Sequence, residues 1–239
     1  MQLGIAWQYD CQVEFNSANR EITLKLVYYG PPLSGKTTNL HALHGLLGSH
    51  VCGRMITLDT SDDRTLFFDL LPVLVRSRSG VRIKLKLYTV PGQAIHAATR
   101  KLVLKGADGL VFVADSQLSM AAENQKYWHG MRQYLRELGD DPDILPTVVQ
   151  FNKRDLDNIR SESDLDLISS KSREPIFRSV AIRSEGVMET LHGLCDRVWD
   201  SLDSRLSFGR KLQLSREDFL EGIFQSATDA DSKAPGIDS

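Results

Sequence analysis

The sequence has few cysteines, no long apolar run and no dense cluster of basic residues. Cys11, Cys52 and Cys195 lie too far apart in the chain to suggest a disulfide framework or a thiolate metal site. No stretch is apolar for long enough to span a bilayer, and the first residues lack the basic and apolar regions of a secretion signal. A formal charge of −2 gives no electrostatic reason to expect nucleic acid as a partner. We therefore expect a cytoplasmic protein without a direct membrane anchor, since the sequence also ends without a prenylatable cysteine.

Strand and helix patterns alternate along the chain, whose 239 residues suit one domain with a modest extra segment. Alternating apolar residues over 22–26 and 83–87 predict strands, and the apolar runs at 110–114 and 147–151 predict interior strands of a parallel sheet. Apolar residues at helical spacing predict helices between these strands and a long helix over 187–202. These repeated units predict an α/β fold with a mostly parallel central sheet and helices on both faces.

A phosphate-binding pattern, Gly30-x-x-x-x-Gly35-Lys36-Thr37, lies between a predicted strand and a predicted helix. In that context backbone N–H groups and the helix N-terminus hold phosphate oxygens. The donors are expected from Leu33, Ser34, Gly35, Lys36, Thr37 and Thr38. Lys36 would reach the outer phosphates and assist catalysis, and the Thr37 hydroxyl would bind magnesium. The alternative is a glycine-rich turn without a ligand.

Two prolines within this pattern bear on catalysis more than on binding. Pro31 and Pro32 remove two N–H donors, but they precede the donors nearest the phosphates. Nucleotide binding is therefore expected. The ring of Pro32 adds bulk near the expected positions of the last phosphate and the attacking water. We therefore expect Pro32 to affect the rate of nucleotide hydrolysis more than nucleotide affinity.

A second loop, Asn152-Lys153-Arg154-Asp155, follows the predicted strand that ends at Phe151. Asp155 could accept hydrogen bonds from N1 and N2 of guanine, whereas adenine offers no such pair. Lys153 could lie along the purine face, and Asn152 could tie this loop to the phosphate loop. The alternative is a solvated charged turn.

Two further segments hold candidates for catalysis. Gly92 could donate its N–H to a terminal phosphate, and Gln93 could orient the hydrolytic water. GTPases usually carry an aspartate four residues before this glutamine, where this chain has Thr89. Upstream, Thr65 could reach magnesium, and Arg64 could neutralise charge on the transferred phosphoryl group. An ion pair of Arg64 with a neighbouring aspartate is an equal alternative.

These motifs together resemble those of the MglA family, bacterial Ras-like GTPases of gliding motility and cell polarity. The likeness covers about residues 15 to 205. It rests on Asn19-Arg20-Glu21-Ile22, Val27-Tyr28-Tyr29-Gly30-Pro31, Leu33-Ser34-Gly35-Lys36-Thr37-Thr38-Asn39-Leu40, Arg64-Thr65-Leu66-Phe67-Phe68-Asp69, Leu87-Tyr88-Thr89-Val90-Pro91-Gly92-Gln93, Arg100-Lys101-Leu102 and Asn152-Lys153-Arg154-Asp155. Threonine at position 89, in place of the usual aspartate, is itself a mark of this family.

The resemblance implies a Ras-like P-loop GTPase domain that binds GTP or GDP with Mg²⁺. It implies that Arg64 is an arginine finger supplied in cis, that Thr65 binds magnesium and that Gln93 positions water. It further implies a backbone contact from Ala181 to the guanine. Family members engage a roadblock-fold dimer, MglB, that activates hydrolysis, and they position polarity or motility machinery at a cell pole. The implied function is a GTP-hydrolysing switch, and the alternative is a hydrolysis-poor, GTP-loaded scaffold that localises partners.

The resemblance does not account for either end of the chain. We predict an N-terminal extension over 1–20, with an edge strand or a loose arm, and the Ras-like domain over 21–208. A short amphipathic helix is predicted over 209–225 and a disordered tail over 226–239. This helix either packs on its own domain or detaches to bind a partner.

Overall fold

The computed structural model describes residues 14–16, 19–58, 68–91 and 97–231. The strands are β1 (Glu14–Asn16), β2 (Glu21–Tyr29), β3 (Ile56–Leu58), β4 (Phe68–Arg76), β5 (Arg82–Thr89), β6 (Gly109–Asp115), β7 (Thr147–Asn152) and β8 (Ile176–Arg178). The helices are α1 (Lys36–Leu47), α2 (Ala97–Leu104), α3 (Ala121–Glu137), α4 (Glu162–Lys171), α5 (Val187–Leu206), α6 (Phe208–Leu212) and α7 (Arg216–Asp231), with short 3₁₀ turns at Leu118–Met120 and Ala181–Arg183.

The strands form one eight-stranded sheet in the order β3-β4-β5-β2-β6-β7-β8, and β1 pairs with the start of β2. Strands β5, β2, β6, β7 and β8 run parallel to one another. Strand β4 pairs antiparallel with β5, β3 antiparallel with β4, and β1 antiparallel with β2. The predicted α/β fold with a mostly parallel sheet is therefore confirmed. The carboxyl ends of the parallel strands meet at one edge of the sheet, where such folds bind ligands.

Each face of the sheet carries its own apolar core. On one face, Leu24 and Leu26 of β2 and Leu85 of β5 pack beneath α1, α5 and α7. On the other face, Val27 of β2 and Phe112 of β6 pack beneath α2 and α3. Strands β6 and β7 are buried along their whole length, which explains the apolar run at 110–114 and the mainly apolar β7, where the buried Gln150 is hydrogen-bonded to Asn39 and Thr190.

Helix α7 packs on its own domain. Phe219 and Ile223 have no exposed surface, and the Phe219 ring lies against Trp199 of α5. Asp218 accepts hydrogen bonds from the backbone N–H groups of Arg78 and Ser79, in the turn that joins β4 to β5. The helix runs to Asp231, past the boundary at 225 that the sequence suggested, because neither glycine nor proline interrupts the chain after Gly222 until Pro235.

Part of the N-terminal extension forms β1, and residues 1–13 lie outside the described part of the chain. Within the described ranges, none of the helices combines the length and the apolar character that crossing a bilayer requires.

Candidate functional site

The phosphate loop leaves β2 at Gly30 and enters α1 at Lys36, and its two glycines are required by close approaches. A Cβ atom on Gly30 would lie 2.2 Å from the Val113 carbonyl oxygen. On Gly35, whose φ is 98°, it would lie 2.1 Å from Nδ2 of Asn152. Among the described residues no side chain caps the start of α1, so its first N–H groups are available to an anion.

Lys36 lies under this loop with its ammonium group against the backbone. Its Nζ donates to the carbonyl oxygens of Gly30 (3.1 Å) and Pro31 (2.6 Å). Burial lowers the pKa of Lys36 to about 7, and the positive charge of Arg100 adds to the effect. A phosphate beside Lys36 would favour the charged form and oppose this shift. The arrangement is that of a cation placed for an anionic ligand.

Next to Lys36, three hydroxyl groups converge on the buried carboxylate of Asp69. Thr37 donates to Asp69 Oδ2 at 2.6 Å, Thr57 to Oδ1 at 2.9 Å and Thr89 to Oδ2 at 3.0 Å. Asp69 stands opposite Thr89 in the antiparallel β4–β5 pair, in which Leu70 pairs with Tyr88. A buried carboxylate of the neighbouring strand thus lies in hydrogen-bond contact with Thr89.

Sequence reasoning missed Asp69. The available signal was that Asp69 is the one charged residue in the stretch 68–75, which is apolar apart from Asp69 and Pro72. Hydroxyl and carboxylate oxygens are the protein ligands that magnesium accepts, so the donor set around Thr37 fits the predicted ion. Thr65, the second predicted magnesium ligand, lies outside the described residues.

A cavity of about 580 Å³ opens above Lys36, Thr37 and Asp69. A second cavity, of about 310 Å³, lies beside it against the 152–156 loop and the turn at Ala181 and Ile182. Leu33, Gly35 and Thr38 line both cavities. A ligand with two chemically different ends can therefore lie across the phosphate loop with one end in each cavity.

The second cavity contains the predicted base-recognition residues. Asp155 and Lys153 line it, and Lys153 has a left-handed backbone conformation with φ 66°. The Lys153 ammonium donates to the buried carboxylate of Asp115 at 2.7 Å, which fixes the lysine side chain along the cavity. Asp115 is a second residue that sequence reasoning missed, although an acid directly after the apolar run 110–114 was a visible signal.

Asn152 connects the two cavities through its side-chain amide. Its Nδ2 donates to the Ser34 carbonyl oxygen at 2.8 Å, as the sequence suggested. Its Oδ1 accepts from the hydroxyl of Ser179 at 3.0 Å and from the backbone N–H of Ala181 at 2.9 Å. Ala181 thus stands in the wall of the second cavity, with its N–H bonded to Asn152.

The structure brings together one set of the predicted residues, namely Gly30, Leu33, Ser34, Gly35, Lys36, Thr37, Thr38, Asn152, Lys153, Asp155 and Ala181. The other set, Arg64, Thr65, Gly92 and Gln93, lies outside the described residues. The roles of this second set stay predictions.

Comparison with known proteins adds one informative match. No protein-family model matches the chain. The chain is 42% identical over 187 residues to the mutual gliding-motility protein MglA of Myxococcus xanthus, and the match covers 78% of this chain and 96% of that protein. The chain belongs to the MglA family. The resemblance predicted from the motifs is thus confirmed, and so is the Ras-like P-loop GTPase fold expected of an MglA-family chain.

Proposed function

We propose that this protein is a GTP-binding molecular switch that hydrolyses GTP to GDP and phosphate and controls cell-polarity or motility machinery. One observation carries the proposal: two cavities, one with phosphate-binding chemistry and one with base-recognition chemistry, share the wall formed by the phosphate loop. A guanosine phosphate would match both cavities, because its charged phosphates and its uncharged base lie at opposite ends of the molecule. The name of the Myxococcus relative supports the assignment to gliding motility.

The larger cavity would hold the phosphates and the magnesium ion. N–H groups of residues 33–38 would bind phosphate oxygens, and Lys36 would turn from its backbone carbonyl acceptors toward the outer phosphates. Thr37 and Thr65 would hold magnesium, with Asp69 orienting Thr37 and accepting from water around the ion. The ion neutralises phosphate charge when bound.

The smaller cavity would hold guanine. Asp155 would accept from N1 and N2 of the base, and Lys153, held by Asp115, would present its alkyl stem to the purine face. Asn152 would keep this loop in register with the phosphate loop.

Hydrolysis would depend on residues from two segments outside the described ranges. Gln93 would position the attacking water, Gly92 would bind the terminal phosphate, and Arg64 would neutralise charge in the transition state. We further propose a roadblock-fold dimer of the MglB type as the activator, and recruitment to a cell pole through partners.

A scaffold that stays loaded with GTP is the alternative function, and one observation favours it. Pro32 lines the larger cavity beside Lys36 and Thr37. A rigid ring at this place takes space that the attacking water and the terminal phosphate would need.

Two measurements test these proposals. Calorimetry should detect binding of GDP and GTP and no comparable binding of ATP, and an equal preference for ATP would reject the guanine assignment. Single-turnover hydrolysis of GTP, with and without a roadblock-type activator, then separates switch from scaffold. We expect slow release of phosphate that the activator accelerates and that Gln93→Ala and Arg64→Ala abolish. No detectable release in the presence of the activator would leave the scaffold as the function.

A further inference from the structure

Leu33 combines an unfavourable backbone conformation with an unusually exposed apolar side chain. Its φ is 59°, in the left-handed region where a residue with a Cβ atom is disfavoured and glycine is not. Its side chain is 88% exposed. The backbone N–H groups of the phosphate loop do not require a leucine here, because glycine would supply the same donor without strain.

The position of the side chain suggests what covers it. Leu33 lines both the phosphate cavity and the base cavity, so it stands where the sugar of a nucleotide spanning them would lie. Ile182, on a separate loop, is 78% exposed and lines the base cavity as well. These are the two most exposed large aliphatic side chains of the described residues, and both border the same cavity.

We propose that the Leu33 side chain packs against the sugar and base of the bound guanine nucleotide, together with Ile182, and sets how slowly that nucleotide dissociates. This inference rests on the proposed function, and it assigns to a side chain a role separate from the backbone donors of the same loop. Apolar surface that leaves water on binding stabilises the complex, and such contacts act mainly on the dissociation rate. The strained conformation of Leu33 costs the free protein stability and is balanced in the complex.

The role of the side chain can be separated from that of the backbone by Leu33→Gly. This variant keeps the N–H donors and relieves the left-handed strain. We expect radiolabelled GDP to dissociate about tenfold faster, because the complex loses the stabilisation that comes from burying part of a leucine side chain. The thermal midpoint of the nucleotide-free protein should stay the same or rise. A merely structural leucine would lower that midpoint.

Pyrophosphate serves as a second probe, because it occupies the phosphate loop without reaching the sugar or base. Leu33→Gly should leave its affinity unchanged in calorimetry. Leu33→Asn provides a second variant that tolerates the left-handed conformation and lacks the apolar surface. Ile182→Ala should also accelerate GDP dissociation, whereas Leu167→Ala, at an exposed leucine of α4, is the matched control and should not.

The outcomes are distinct. GDP dissociation within twofold of the parent in both Leu33 variants would overturn the proposal. A tenfold loss of pyrophosphate affinity in Leu33→Gly would also overturn the proposal, because a change in loop geometry would then explain the faster release of GDP. Failure of the parent protein itself to bind GDP would reject the proposed function, which is a different result.

Discussion

At the residue scale, we propose that one carboxylate, that of Asp155 in the smaller cavity, selects the base. Asp155→Asn replaces an acceptor by an amide that also donates, which suits the carbonyl at C2 of xanthine instead of the amino group of guanine. We expect affinity for GDP to fall on the order of 100-fold and affinity for xanthosine diphosphate to rise. Competition binding measures both. The exposed neighbour Asp157 provides the control, since Asp157→Asn should leave the preference for GDP unchanged.

A second carboxylate, that of Asp69, lies behind the proposed magnesium ligand Thr37. Asp69→Asn keeps the shape of the side chain but removes the charge that receives hydrogen bonds from Thr37, Thr57 and Thr89. We expect the magnesium concentration needed to retain GDP to rise about tenfold, as is common when a residue behind a metal ligand is changed. The measurement is the GDP dissociation rate across a magnesium titration. With EDTA present, parent and variant should dissociate alike, and an unchanged magnesium midpoint would contradict the role of Asp69.

At this scale the sequence predicts residues that act within one loop and misses those that act between strands. Lys36, Thr37 and Asn152 belong to contiguous patterns whose chemistry is set by local spacing. Asp69 matters because the β4–β5 register places it opposite Thr89, and that register depends on where the hairpin turns. No local pattern encodes such a pairing.

At the element scale, α7 approaches the β4–β5 turn through a glycine. A Cβ atom on Gly222 would lie 3.1 Å from Cα of Ser77, so in Gly222→Ala the helix or the turn must shift by a few tenths of an ångström. Gly130 of α3 has open space around the same position. Gly130→Ala should therefore stabilise the fold by about 1 kcal/mol through helix propensity alone, whereas Gly222→Ala should destabilise it. Urea unfolding of both variants measures the difference, and equal effects would show that the packing at Ser77 is unimportant.

The contact of Asp218 with the β4–β5 turn predicts that the stability of the protein depends on pH. Burial raises the pKa of Asp218, but the hydrogen bonds from Ser79, Arg78 and Ser77 outweigh it, so its pKa is lowered in the folded protein. A group with a lowered folded pKa stabilises the protein above its unfolded pKa of about 4 and loses that contribution as the pH falls below it. Asp218→Asn should therefore be less stable than the parent at pH 7, and the difference should shrink as the pH falls from about 4 through the lowered pKa of the folded protein.

Thermal unfolding of the parent, of Asp218→Asn and of the control Glu217→Gln across this pH range tests the expectation. Glu217 is the exposed residue next to Asp218 on the same helix. A stability difference for Asp218→Asn that persists unchanged at pH 3 would show that the charge is not what the turn recognises.

Elements were predicted well where periodicity extends over many residues and less well where packing decides. Strands β2, β5, β6 and β7 and helices α1, α3 and α5 follow from their apolar spacing, whereas the three-residue strand β8 was not predicted. The position of α7 does not follow from its apolar spacing. An amphipathic face predicts that a helix is buried on one side, but not which surface of the protein covers that side. The decisive features, Asp218 against a distant turn and Gly222 against Ser77, join segments far apart in the chain.

At the scale of the whole molecule, a ligand that binds the folded state must raise its stability. GDP with magnesium at a hundred times its dissociation constant should add about 2.7 kcal/mol. For a domain of this size the thermal midpoint should rise by roughly 5–10 °C. Differential scanning calorimetry measures the shift. ATP should produce none, and GDP should produce little with Asp155→Asn at the same concentration.

The side chain of Asn152 has a consequence for how the two ends of a ligand act on one another. One amide holds the phosphate loop through Ser34 and the turn in the wall of the smaller cavity through Ala181. A ligand that fixes either segment would therefore restrict the other and reduce the entropy that ordering it would cost. Guanosine and a free phosphate chain would thus assist each other in binding, and the joined nucleotide gains further because the second contact becomes intramolecular.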